Sequence, residues 1–213
     1  NSQAPDHPVS AYDAEPVLDL WRSLERDCRE PCEALTIPHN MNKMWGIAYS
    51  GLTIDGAPYS GDDWALRGRS EPIAEIFQVK GASECGLGAG AVDEECNFEQ
   101  PIPACEDNET LACTSSNSFA REGLKKGLRL AAELGFNPLR FGFVAATDTH
   151  NGNPGDTEEW DFRGASGLFN SPAKRRLAAP KGSFKSSIER NPGGLAVIWA
   201  EENTREALFD AMK

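Results

Sequence analysis

Residues Phe141–Gly152, FGFVAATDTHNG, decide how the chain is read. The apolar half, rich in Phe, Val and Ala, predicts a buried strand. It ends abruptly at Asp148-Thr149-His150, and the flexible pair Asn151-Gly152 follows. A carboxylate and an imidazole therefore stand at the carboxyl end of a strand. On an extended backbone residues two apart point the same way, so Asp148 and His150 could share a metal ion or a proton. The plainer reading is a polar turn in which Asp and Asn accept backbone hydrogen bonds.

A second stretch repeats the arrangement. Ala34-Leu35-Thr36-Ile37 is a short apolar segment that runs into Pro38-His39-Asn40, so again a His closes a strand-like run. The chain has three His, and two of them occupy this kind of place. In a parallel sheet both would open on the same rim, where open sheets and barrels keep their chemistry.

A chain of 213 residues fits one domain or a large piece of one, and can bury a core. The net charge of -12 argues against a nucleic-acid surface, which needs clustered Lys and Arg. Nothing apolar is long enough to span a bilayer, and no secretory signal opens the chain. Its first residue is Asn1 rather than Met, which points to processing or truncation.

Six cysteines are many for a cytosolic chain of this size. Cys85, Cys96, Cys105 and Cys113 fall in a Gly- and acid-rich stretch, residues 81–117, read as an insertion, while Cys28 and Cys32 lie near the start. An even number in loop-like sequence predicts disulfides and an oxidising compartment, periplasmic or secreted. A zinc site is the alternative, but no two cysteines have the tight C-x-x-C spacing. The pairing is not legible.

In chain order, residues 1–11 are a polar lead-in that contains His7. Asp13 is the expected cap of a helix with Pro16 in its first turn, ending near Asp27. Residues 41–64, with several Gly and aromatics and no clear period, predict a long loop on the functional face. Ile73–Val79 is a strand by composition, with Glu75 on the side of Ile73 and Phe77. The glycines of residues 81–90 lack a Gly-Lys-Ser/Thr ending, so they predict turns and not a phosphate-binding loop. From Ser118 an apolar period of three and four predicts a helix to Leu134, stopped by Gly135, with Lys125, Lys126 and Arg129 on its solvated face. Lys174-Arg175-Arg176 lies in the irregular stretch 153–191 and reads as a solvated loop, although it could meet an anionic substrate. Gly194–Ala200 predicts a buried strand, and Asn203 with Glu206 a capping box for a last helix. The order is α/β, and the strands are read as an incomplete set of barrel staves.

Four segments together carry a family resemblance: IPHN at 37–40, EPIAEIFQVKGASE at 71–84, NPLRFGFVAATDTHNGNPG at 137–155 and GGLAVIWAEENTREALFDAMK at 193–213. The chain resembles a bacterial family of unknown-function proteins related to the PHP (polymerase and histidinol phosphatase) metal-dependent hydrolases. The resemblance implies a distorted (β/α) barrel with metals at the carboxyl ends of its strands, and hydrolysis of a phosphoester. It implies metal ligation by His39, Asp148 and His150, with Asp148 and His150 catalytic, and a divalent zinc, manganese or iron ion. Asn151 would orient the adjacent His from behind, and Asn40 and Glu75 are rim candidates; Glu75 is not matched by position to the family's bridging Glu. The family's opening His-x-His pair has no counterpart here, so the chain is expected to be the C-terminal part of a longer protein. The other readings are a non-catalytic secreted binding or structural module and a cysteine-based zinc or redox protein.

Overall fold

A computed structural model describes residues 16–28, 32–98, 100–105, 113–158, 160, 174 and 193–213. His7, Asp13, Arg175 and Arg176 lie outside the described residues, as does most of the stretch 153–191.

The first helix, α1, runs Val17–Asp27 and buries Leu18 and Trp21. Pro16 is its cap, where a missing N–H costs nothing. The second, α2 (Gly61–Ser70), was not expected. Its signal was a capping box. The Ser60 hydroxyl accepts from the Asp63 N–H, while the Asp63 carboxylate accepts from the Ser60 N–H.

Strand β1 (Ile73–Gln78) follows directly, pairs antiparallel with the two-residue β2 (Gly81–Ala82), and pairs parallel with β3 (Gly142–Ala145). Helix α3 (Ala120–Leu134) provides the crossover that a parallel pair requires. It stops where the sequence indicated, at Gly135 in the left-handed conformation, φ 80°. A last helix, α4 (Arg205–Met212), is capped by Thr204, whose hydroxyl accepts from the Ala207 N–H; Asn203 is not the cap. The fold is mixed α/β around an open sheet of order β2-β1-β3.

Three expectations change. Among the described residues the predicted strand at Ala34–Ile37 forms no ladder; Thr36 N–H donates to the Ser70 carbonyl, and just beyond the segment the Pro38 carbonyl accepts from Glu75 N–H of β1. The predicted strand at Gly194–Ala200 is likewise not buried, and among the described residues it pairs with no strand. Its Gly194 N–H donates to the carbonyl of Ala146, just past the end of β3, and Trp199 is left 90% exposed. Beside it Phe143 of β3 is exposed too, so the Phe141 run is an edge strand. An apolar run marks a strand's composition but cannot say whether a neighbour lies on its outer side. Last, residues 41–64 are irregular between Met44 and Ser60, as expected, but the stretch does not simply lie over the surface. Met41, Ala48 and Tyr49 are buried in the core with Trp64, Ala74, Ala120, Leu130, Leu139 and Phe141.

Arg67 sits at the junction of these parts. It is buried, its Nη2 donates to the Ala48 carbonyl at 2.6 Å, and Glu71 lies 3.0 Å away. Its guanidinium stands 5.3–5.9 Å from the rings of Tyr49, Trp21 and Trp64. Burial pushes the Glu71 carboxyl above its ordinary value even with Arg67 beside it. Lys126 of α3 also departs from its predicted solvated role: it is half-buried over Trp64, and its ammonium donates to the carbonyls of Tyr49 and Ser50. The desolvation lowers its pKa.

All six cysteines are paired, each with the next in sequence: Cys28–Cys32, Cys85–Cys96 and Cys105–Cys113. No thiolate remains for a metal, which overturns the cysteine-based zinc reading.

Two stability predictions follow from this packing. Arg67→Ala leaves Glu71 buried without its cation and is expected to lower the unfolding free energy by about 3–5 kcal/mol in urea titrations. Ser60→Ala removes the α2 cap and is expected to cost about 0.5–2 kcal/mol. The Ser60 hydroxyl, with the Ser60 N–H and Arg22, holds the Asp63 carboxyl below its ordinary 3.8. A depressed carboxyl contributes stability above 3.8 and loses it as pH falls further. The gap between wild type and Ser60→Ala is therefore expected to narrow in titrations run below that pH.

Candidate functional site

The site forms where β1 and β3 end. Glu75 lies in the middle of β1 at 7% exposure, and a carboxylate so placed must find donors. It finds two. His39 Nδ1 is 2.7 Å from Glu75 Oε2, and the Asn40 N–H donates to the same oxygen at 3.3 Å. A carboxylate only accepts, so the Nδ1 edge of the ring carries a proton, and in the neutral ring Nε2 keeps the lone pair.

Asp148 stands at that other edge, its Oδ1 3.7 Å from His39 Nε2. This is too long for a hydrogen bond. Two ligands of one four-coordinate ion, each about 2.1 Å from it, stand roughly 3.4 Å apart, so the spacing suits a shared cation with a small closing movement. Glu75 behind the ring is the carboxylate support that a ligating His ordinarily has. The two carboxylates lie at opposite edges of the imidazole, and among the described residues no group of three or more His, Cys, Asp or Glu could hold a metal. His39 and Asp148 thus present two donors, one short of the three protein ligands of a catalytic zinc site.

The second oxygen of Asp148, Oδ2, is buried and faces the Lys80 ammonium in an ion pair. Lys80 belongs to the two-residue turn between β1 and β2 and was not singled out from the sequence. Its position after an apolar strand, beside the conformationally free Gly81, was the available signal.

The structure brings together His39, Asn40, Glu75 and Asp148, but not His150. Asp148 adopts a left-handed conformation, φ 47°, and the alternation assumed for Asp-x-His fails at that residue. His150 is exposed, and among the described residues no hydrogen bond or ion pair links it to His39 or Asp148. Asn151 closes the turn, its Oδ1 accepting from the Asn153 N–H. Asn40 is also left-handed, φ 54°, and its side-chain carbonyl accepts from Gln78 Nε2. Glu75, expected on the rim, is instead the buried anchor of the site.

A histidine held by a buried carboxylate and aimed at an aspartate, on the carboxyl rim of a parallel strand pair, defines an α/β protein with a rim-type polar site. The chain belongs to the family described as Protein of unknown function (DUF3604), whose model matches residues 1–213. No curated protein and no solved structure matches it. Among the described residues no helix is long and apolar enough to cross a membrane.

Nitrogen NMR of the imidazole is expected to show His39 with its proton on Nδ1. Glu75→Ala should abolish that preference and lower stability by roughly 1.5–3 kcal/mol, the value of a hydrogen bond to a charged group. An unchanged tautomer in the variant would remove Glu75 from this role.

Proposed function

We propose that the chain carries part of a metal-dependent hydrolase site of phosphoesterase type, related to the PHP hydrolases, with His39 and Asp148 as ligands to a divalent zinc, manganese or iron ion. The observation that carries this reading is His39 Nε2, fixed by Glu75, facing Asp148 across 3.7 Å. Such an ion supplies a Lewis acid for the phosphoryl group of a small anionic substrate. The chain's residues do the positioning. Glu75 fixes the imidazole's rotation and tautomer, and Asp148 adds negative charge at the rim. His150, two residues beyond Asp148 in sequence, would have to move to the rim to add a third donor.

The parallel pair β1 and β3, joined through α3, is the repeating unit of a (β/α) barrel and supports the distorted-barrel reading. Three disulfides suit an oxidising environment and support a periplasmic or secreted location. One observation favours a second reading, a non-catalytic secreted module: Lys80 already neutralises Asp148.

Elemental analysis after dialysis against zinc or manganese separates the two. The hydrolase reading expects about one ion per chain, lost in both His39→Ala and Asp148→Ala. Retention in both variants would place the metal elsewhere and sink the assignment; no metal in wild type would favour the module.

A further inference from the structure

Asn151-Gly152, in the turn beyond Asp148, is the one Asn-Gly pair of the chain, and Asp55-Gly56 is its one Asp-Gly pair. In either, the glycine's backbone nitrogen can attack the carbonyl carbon of the preceding side chain, because no Cβ crowds the approach. The fold treats the two pairs differently. Gly56 N–H donates to the Thr53 carbonyl at 2.9 Å, so its nitrogen is engaged. Gly152 N–H has no such partner among the described residues. Gly152 is exposed at φ 75°, and apart from its chain neighbours no atom lies within 4 Å of where a Cβ would stand, which leaves room for a ring and for water.

The Asn151 side chain is held for the attack. Its Oδ1 accepts from the Asn153 N–H at 3.0 Å. That donor draws electron density from Cγ and faces the oxygen on which negative charge develops as the nitrogen adds. The donor is itself fixed: the Thr149 hydroxyl donates to the Asn153 carbonyl at 3.4 Å, and Asn153 Nδ2 donates to Asp156 Oδ2 at 2.8 Å.

We propose that Asn151 is a site of spontaneous deamidation. The Gly152 nitrogen gives its proton to water and bonds to Asn151 Cγ. The Cγ–Nδ2 bond breaks, and the amide nitrogen takes a proton from water and leaves as ammonia. Water then opens the five-membered imide at either carbonyl, leaving aspartate or isoaspartate at position 151. Nothing is oxidised or reduced, and water is the sole co-reactant. Either product adds a negative charge to the turn that carries Asp148 and His150, and isoaspartate also lengthens its backbone by one carbon. The aged chain therefore repels an anion approaching this rim more strongly than the fresh one. None of this depends on a metal.

The test is incubation of the full chain, disulfides intact, in mildly alkaline buffer, folded and in concentrated urea. Ion exchange and peptide mass spectrometry with isoaspartate-specific fragmentation give the rates. Position 151 is expected to gain one mass unit and the chain a new acidic peak. The folded rate at 151 is expected within about threefold of the rate in urea, whereas isoaspartate at position 55 should form about tenfold more slowly in the folded chain, the worth of the hydrogen bond that engages Gly56. Asn151→Gln, which would have to close a six-membered ring, is expected to lose the acidic peak. Protection by folding of about tenfold or more at position 151 overturns the proposal. So does an acidic peak that persists in Asn151→Gln.

Discussion

A cation in the core organises this protein. Arg67 lies where α1, the segment that follows His39, and α2 meet, and each supplies it with something: Trp21 from the first, Tyr49 and the Ala48 carbonyl from the second, Trp64 and Glu71 from the third. Buried guanidinium is tolerated only where rings, carbonyls and a carboxylate replace water together. Because the demands come from separate parts of the chain, satisfying them fixes those parts relative to one another. Lys126 does the same from α3, tying the carbonyls of residues 49 and 50 over the face of Trp64. Gly51 completes this joint, for a side chain there would enter the Trp64 ring.

The rim inherits its geometry from that joint. Glu71 pairs with Arg67 and is followed at once by Pro72 and β1, so the strand leaves the core at a set height. Four residues after Glu71, Glu75 repeats the problem of a buried carboxylate and solves it with His39 and the backbone of Asn40. The same chain segment then continues into Met41 and Tyr49 of the core. His39 is thus held twice, its ring by Glu75 and its backbone by the buried residues that follow it in the chain.

What the sequence disclosed follows from what periodicity and caps can encode. The α3 stop at Gly135 and the β1 strand were legible because a glycine after an apolar period, and a short run rich in Ile, Phe and Val, have few other uses. Helix α2 was missed although Ser60 and Asp63 announce it, since the glycines and aromatics before them have no period. His39 and Asp148 were visible as polar residues closing apolar runs. Their meeting was expected from the shared rim of a parallel sheet and from the family resemblance, but not what brings it about: Pro38 lies beside β1, a contact between residues far apart in the chain. Glu75 was placed on the right strand and given too small a part, since alternation shows a face and not its burial. The shared side assumed for Asp148 and His150 failed because one left-handed residue cancels the period of two. The Gly194–Ala200 run was read as buried because sequence carries no record of which edges are covered.

The cysteines pair in strict order along the chain, across separations of 4, 11 and 8 residues. Six cysteines admit 15 pairings, and this one alone can be completed by a chain that arrives end-first, each thiol meeting its mate before the next pair appears. Short loops also close with the least entropy loss. Each bridge of this protein can therefore close within its own stretch of chain, without waiting for distant segments to be brought together.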